Sequence, residues 1–325
     1  MDTHPETPAA AEAAALLRVI GRGTRGSRDL DPTQAAWLMR AVLRGDLTDL
    51  QLGAVLIALR IKGESADEVL GFMQAVDAQL PRLRVARPVA VMASVNGARR
   101  LANQVPLLCL ALQRRGIATL VIGDEDADGR LHTAALWSAL GLAHARAVDA
   151  AETLLDAGAP VYLDLRELHP ALARLTAHRR LLGVRNVCHS LVKLLCPISG
   201  PALLLAGYTH GEYGALMQQV LAARGTSALV LHGCEGEAVP HPSRRTELAW
   251  SLPPAGGDTP TALPAAVGGD LPLLGTDLAG QRDWSRDVLA GRAATPAALD
   301  AFVTVVAAAV AAMATSPAPD PDRAA

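Results

Sequence analysis

Apolar residues recur at helical spacing through the first eighty positions and in short unbroken runs after them, so the chain changes architecture near Pro81. In "LQLGAVLIAL" the residues Leu50, Leu52, Val55, Leu56 and Leu59 mark one side of a helix. Three helix starts are readable between Asp31 and Leu80. Asp31-Pro32-Thr33-Gln34 supplies a cap and an opening proline, while Thr48-x-x-Gln51 and Ser65-x-x-Glu68 have capping-box spacing. Gly45 and Gly63 close the first two. These helices predict a small all-α unit.

Beyond Pro81 the runs PVAVMAS, ATLVIG, PVYLDL, ALLLAG and SALVLHG alternate with helix-like segments around 101–115, 132–142, 149–157, 169–182 and 211–224. Continuous apolar strands alternating with helices predict an α/β domain whose mostly parallel sheet is covered on both faces. The stretch SLPPAGGDTPTALPAAVGGDLPLLG predicts a long irregular excursion, followed by a helix from about Thr295 to Met313. The expected division is a loose N-terminus at 1–13, a helical domain at 14–82, an α/β domain at 83–313 and a loose tail at 314–325.

Half of the 325 residues are apolar, enough to bury a substantial core in two domains. No unbroken apolar run reaches membrane-spanning length and the first residues are acidic and polar, so a cytoplasmic protein without a membrane partner is expected. Cys109, Cys188, Cys196 and Cys234 are widely spaced with no CxxC pair, the pattern of reduced thiols. The net charge of −2, taken alone, argues against a partner held mainly through phosphates. The distribution changes that picture. No acid occurs from Ala78 to Gly123, where Arg82, Arg84, Arg87, Arg99, Arg100, Arg114 and Arg115 fall. A second acid-free tract from Leu168 to Gly211 holds Arg174, Arg179, Arg180, Arg185 and Lys193. Charge sorted in this way is compatible with a basic face on a mildly acidic protein, and equally with scattered solvated residues.

Ligands of parallel α/β sheets sit beyond the carboxyl ends of the strands, where Ser94 to Arg100 falls. A pyrophosphate cradle needs several glycines, because a Cβ blocks close approach to the amides. This turn has only Gly97, with Asn96 able to take the left-handed region, so a tight turn presenting one or two amides is expected. Arg99 and Arg100 are expected to open the next helix, where their charge opposes the dipole unless an anion is bound. His189 and His210 have no third partner at metal-like spacing and read as structural. Ser94 lacks the GxSxG setting of a nucleophile. The basic stretch GRGTRGSR, Gly21 to Arg28, reads either as a solvated loop or as a phosphate-contacting arm. Aromatic residues are few, with Tyr208, Tyr213 and Phe72 well separated, which argues against a base-stacking platform.

The order of LRGDLTDLQLGAVLIALRIKGESADEVLGF, the glycine turn, LLGVRNVCHSLVKLLCPISGP and LVLHGCEGE resembles the anthranilate phosphoribosyltransferase superfamily over roughly residues 14–313. NGARR, IGRGTRGSRDL and LGVRNVCHSL are most similar to its YbiB-type, DNA-binding branch. The resemblance implies a class IV phosphoribosyltransferase-like fold, a homodimer joined through the helical domain and a basic groove for single- or double-stranded nucleic acid. Departures from the enzymes are equally specific. Where they carry GTGGD this chain reads Val95-Asn96-Gly97-Ala98-Arg99, and Val121-Ile122-Gly123 stands in place of Lys-His-Gly. The Asp-Glu pair that would hold magnesium is reduced to Glu235 and Glu237. Arg185 matches the family arginine that meets the anionic substrate.

Two functions follow. The first is sequence-nonspecific nucleic-acid binding without a cofactor, through Asn96, Gly97, Arg99, Arg100, Arg179, Arg180, Arg185 and Lys193. The alternative is a divergent phosphoribosyltransferase that uses phosphoribosyl pyrophosphate and magnesium. Lost glycines and carboxylates weigh against it, since that transfer needs positioned phosphate and metal.

Overall fold

A computed structural model describes residues 8–23, 25–124, 129–253, 259–263 and 271–315. The chain divides into two compact units: Met1–Pro81 with Asp164–Leu195, and Arg82–Leu163 with Cys196–Ala325.

The first unit is all helical. Pro32–Arg44, Asp49–Lys62 and Ala66–Asp77 each begin with a complete capping box, from Asp31 to Gln34, Thr48 to Gln51 and Ser65 to Glu68. Pro32–Arg44 and Ala66–Asp77 pack with their backbones close together. A Cβ on Gly71 would come within 2.8 Å of the Ala35 Cβ, so only glycine fits this crossing. An earlier helix, Pro8–Ile20, takes in residues 8–13, which the sequence places in a loose terminus. Its alanines favour helix, and Ala10 and Ala13 are buried. Gln51 Nε2 donates to the Ala10 carbonyl at 2.8 Å.

Four short helices, Leu165–Leu168, Pro170–Ala177, Arg179–Leu182 and Cys188–Val192, complete this unit. The sequence places them inside the α/β stretch, with 169–182 as a single helix. Instead the helix breaks at His178, and Leu172, Leu175, Leu191 and Val192 are buried. Arg174 Nη2 donates to the Leu43 carbonyl at 3.0 Å.

The second unit is built on eight strands: β1 (Val89–Ser94), β2 (Ala118–Gly123), β3 (His144–Ala145), β4 (Pro160–Asp164), β5 (Ala202–Tyr208), β6 (Ala228–His232), β7 (Thr246–Trp250) and β8 (Ala262–Leu263). Their order in the sheet is β3-β4-β2-β1-β5-β6-β7-β8. The pairs β1–β2, β1–β5, β5–β6 and β3–β4 are parallel, and β6–β7 and β7–β8 are antiparallel. This is the mostly parallel sheet that the apolar runs predict. Register sets Ser94 beside Gly123 and Tyr208 beside His232, which brings the carboxyl ends of these strands to one edge.

Helices Val105–Arg114 and Ala297–Thr315 bury Leu108, Leu112, Phe302 and Val306 in the same apolar core as Met92 and Leu205. Helix Leu278–Leu289 and strand β8 lie where the sequence suggests irregular chain or no element. Residues 254–258 and 264–270 of the expected excursion, and the tail beyond 315, lie outside the described residues. All four cysteines are free thiols, and burial pushes Cys109, Cys188 and Cys234 up to about 12. No described helix is long and apolar enough to cross a membrane.

Candidate anion-binding site

The loop after β1 follows from local chemistry. Ser94 ends the strand buried, its hydroxyl 2.6 Å from that of Thr133. Gly97 then takes φ 68°, where a Cβ would lie 2.9 Å from the Leu131 carbonyl. Ala98 exchanges backbone hydrogen bonds with Leu131 at 2.8 and 2.9 Å. The next helix begins only at Val105, whose amide donates to Asn103 Oδ1 at 3.0 Å. Arg99 and Arg100 therefore do not open that helix, and the dipole conflict expected from the sequence does not arise. Both side chains are exposed.

The anion expected at this turn is supplied by the chain itself. Asn96 and Gly97 donate their amides to Glu237 Oε1 at 2.9 and 2.8 Å. Arg99 donates its amide to Glu235 Oε2 at 2.5 Å, and Arg100 and Leu101 donate theirs to Glu235 Oε1 at 2.9 and 3.3 Å. Asn96 Nδ2 adds a bond to the Gly236 carbonyl at 2.6 Å. Two carboxylates thus take up five backbone amides, the arrangement that otherwise receives phosphate. Among the described residues Glu235 is the one non-glycine with positive φ, at 53°. That conformation costs on the order of 1 kcal/mol, which its three amide bonds offset.

Glu235 and Glu237, the reduced magnesium pair, do not fit a metal shell. Both oxygens of Glu235 and one of Glu237 already accept amides, and no group of three or more His, Cys, Asp or Glu among the described residues could hold a metal ion. The lost Lys-His pair has also become core. Val121 and Ile122 are fully buried in β2, and the Tyr162 ring packs over Gly123.

Beside Glu235 opens a cavity of about 350 Å³ lined by Arg100, His232, His241, Arg244 and Arg245. It sits past the carboxyl ends of β1, β5 and β6, and its lining sets three arginines against the single carboxylate of Glu235. Burial, with Arg244 and His232 nearby, holds His241 below its ordinary pKa. Arg245 pairs with Glu247 at 2.7 Å, but both side chains are over 60% exposed and the pair is worth little. His232 stacks on Tyr208 with ring centroids 5.4 Å apart and planes 7° from parallel. The sequence reading missed His232, His241, Arg244 and Arg245. Their signal was three basic residues within five positions soon after β6, obscured because acids flank them. It also missed the aromatic pair, because Tyr208 finds its partner in a histidine across the strand register.

The remaining expected residues lie in the helical unit. Arg180 is exposed and Arg179 half-buried on Arg179–Leu182, while Arg185 and Lys193 are half-buried on either side of Cys188–Val192. Asn186 organises this turn, donating Nδ2 to the Leu175 carbonyl at 2.8 Å and accepting the Cys188 amide at 3.0 Å. His189 is buried, with Nδ1 3.3 Å from the Asn186 amide nitrogen. His210 is exposed before helix Gly211–Ala223. The eight expected residues thus form two sets: Asn96, Gly97, Arg99 and Arg100 in the sheet unit, and Arg179, Arg180, Arg185 and Lys193 in the helical unit. In GRGTRGSR, Arg22, Arg25 and Arg28 are exposed, and Thr24 lies outside the described residues.

Comparison with known proteins identifies the family and the fold. The glycosyl transferase family, helical bundle domain, matches residues 11–79. YbiB of Escherichia coli (strain K12) is 36% identical over 237 residues, covering 72% of this chain and 74% of the relative. Anthranilate phosphoribosyltransferase of Leifsonia xyli subsp. xyli is 28% identical over 225 residues, covering 69% of this chain and 63% of the enzyme, so the match spans less than two thirds of the enzyme's length. Among solved structures, anthranilate phosphoribosyltransferase from Thermus thermophilus superposes with a TM-score of 0.69 at 24% identity, over 94% of this chain and 91% of that one. The Saccharomyces cerevisiae enzyme in complex with PRPP and Mg gives 0.66 at 15% identity, over 93% and 87%.

Proposed function

Given that the chain belongs to the anthranilate phosphoribosyltransferase superfamily, in the branch of Escherichia coli YbiB, we propose that it is a sequence-nonspecific nucleic-acid-binding protein on a degenerate phosphoribosyltransferase fold. The observation that carries this reading is the exchange at the loop after β1. Its amides are spent on Glu235 and Glu237, while Arg99, Arg100, Arg244 and Arg245 stand exposed around it. Guanidinium groups on a surface take phosphodiesters without reading base edges, so the affinity is electrostatic and salt-sensitive. The stacked Tyr208 and His232 rings add a face on which an unpaired base can rest, favouring a single strand at this edge. Arg179, Arg180, Arg185 and Lys193 are the second set of phosphate contacts, on the helical unit.

Phosphoribosyl transfer is the second reading, favoured by the likeness to the enzyme bound to PRPP and Mg. The residues present do not fit it. A diphosphate would have to displace two carboxylates from five amides, and those carboxylates are the ones a magnesium ion would need.

The test is charge reversal at the loop. Arg99→Glu with Arg100→Glu lowers affinity for a fluorescent oligonucleotide by about tenfold or more at low salt, and the difference shrinks as salt rises. Anisotropy titrations at two salt concentrations read this directly. Equal affinity for the variant and the natural chain would remove the loop from the site.

A further inference from the structure

Five amides from residues 96 to 101, two directed at Glu237 and three at Glu235, would offer anion sites in any chain that left them free. Here each amide is matched to a carboxylate oxygen about 140 residues away in sequence, on a segment held for that purpose. The Cys234 amide bonds to the Val239 carbonyl at 2.8 Å and the Glu237 amide to the Cys234 carbonyl at 3.0 Å, which fixes the short turn between the two glutamates. Glu235 accepts a left-handed backbone that a glycine would take without strain. The two carboxylates differ in setting. Glu237 is buried at 3% exposure, whereas Glu235 is half-buried and forms part of the wall of the basic cavity beside Arg100 and Arg244.

We propose that Glu235 and Glu237 determine specificity: they are built-in anions that close the loop amides to small free phosphates and leave recognition to the surrounding guanidinium groups. A free phosphate or diphosphate gains most from converging amides and would occupy such a nest. A polyanion gains from several separated cations and does not need it. With the nest filled from within, the protein disfavours the small mobile phosphate esters that compete for the same charges. Glu235 is the residue whose loss reopens the nest into the cavity, since it covers three amides there.

This inference rests on the reading that this face takes anions, and the two fail separately. Oligonucleotide binding by the natural chain tests the earlier reading, and pyrophosphate binding by a variant tests this one. Calorimetric titration with inorganic pyrophosphate, without metal, compares the natural chain with Glu235→Gly and Glu235→Gln. Glu235→Gly, which also relieves the backbone, tightens pyrophosphate binding by about tenfold or more, and Glu235→Gln gives a smaller gain because its amide oxygen still accepts. A folded Glu235→Gly chain with unchanged pyrophosphate affinity overturns the proposal, as does a natural chain that binds as tightly as the variant. Should Glu235→Gly fail to fold, the natural chain still decides. Its pyrophosphate binding is weak and is screened away by salt, as contact with surface guanidinium groups alone requires, and saturable, salt-resistant binding of pyrophosphate would overturn the proposal.

Discussion

Lys62 keeps its charge inside the helical unit because acceptors meet it on several sides. Its Nζ lies 2.7 Å from Glu68 Oε2, 2.5 Å from Asp29 Oδ1 and 2.6 Å from the Gly63 carbonyl. Burial alone would lower its pKa, but the bonds to Asp29 and Glu68 more than offset this and the pKa is raised. Glu68, fully buried, also accepts the amides of Leu30 and Ser65 at 3.0 and 2.9 Å, so one capping residue ties two helix starts together. The neighbouring Glu64 is less well served. Burial, with Glu68 adding repulsion, pushes its carboxyl from 4.5 to about 7. Below pH 4.5 the group is neutral in both folded and unfolded chains and costs nothing. Between 4.5 and about 7 the unfolded chain has released a proton that the folded chain keeps, so stability falls as pH rises and stays lower above that window. Glu64→Gln should therefore be more stable than the natural chain at pH 8, by about 1–3 kcal/mol, and no more stable near pH 4. Denaturant titrations at the two pH values check this, and a constant difference between the chains would contradict it.

Helix Asp49–Lys62 shows what a pattern of apolar residues reveals and what it hides. Its spacing identifies the helix, and Val55, Leu56 and Leu59 are buried as the repeat predicts. Leu50, which the same repeat assigns to the packed side, is 85% exposed, and Ile61 is 65% exposed. Periodicity locates an apolar stripe but not the molecule that covers it. With Leu17, Ile20 and Ile57, Ile61 lines an apolar groove of about 420 Å³ on the helical unit. We propose a second copy of the chain as its occupant, in line with the homodimer that the family resemblance implies. Ile61→Glu is then expected to shift the protein from dimer to monomer in sedimentation velocity, whereas a natural chain that is already monomeric would remove the groove from that role.

Other elements were legible for local reasons. A cap with an opening proline and two capping boxes announced three helices, and β2 was read to the residue because a glycine ends its apolar run. Helix Leu278–Leu289 was missed because charged residues interrupt its apolar positions, and only Gln281, Ser285 and Val288 are buried. The helices from 165 to 192 look locally like a crossover on the sheet, and only contacts such as Arg174 with Leu43 assign them to the helical unit. The carboxylates on the loop after β1 were invisible for the same reason. No local pattern joins Glu235 to Arg99, so the reading that identified both residues expected a foreign anion at one and a lost metal at the other.

At the scale of the whole molecule, a net charge of −2 conceals sorted cations. The structure shows why the average misleads. In the sheet unit two acids are spent internally on amides, while Arg99, Arg100, Arg244 and Arg245 remain at the surface. On the proposed function, a fold shared with phosphoribosyltransferases keeps a preference for phosphate, while the loop amides of its small-molecule cradle are taken up from within by Glu235 and Glu237. The most direct test is one calorimetric comparison on the full chain, with a single strand of about 20 nucleotides and with PRPP plus Mg, each at about 50 and 200 mM salt. The predicted result is saturable binding of the oligonucleotide that weakens steeply with salt, with no saturable heat from PRPP and Mg. Saturable binding of PRPP and Mg together with no binding of the oligonucleotide would contradict the account.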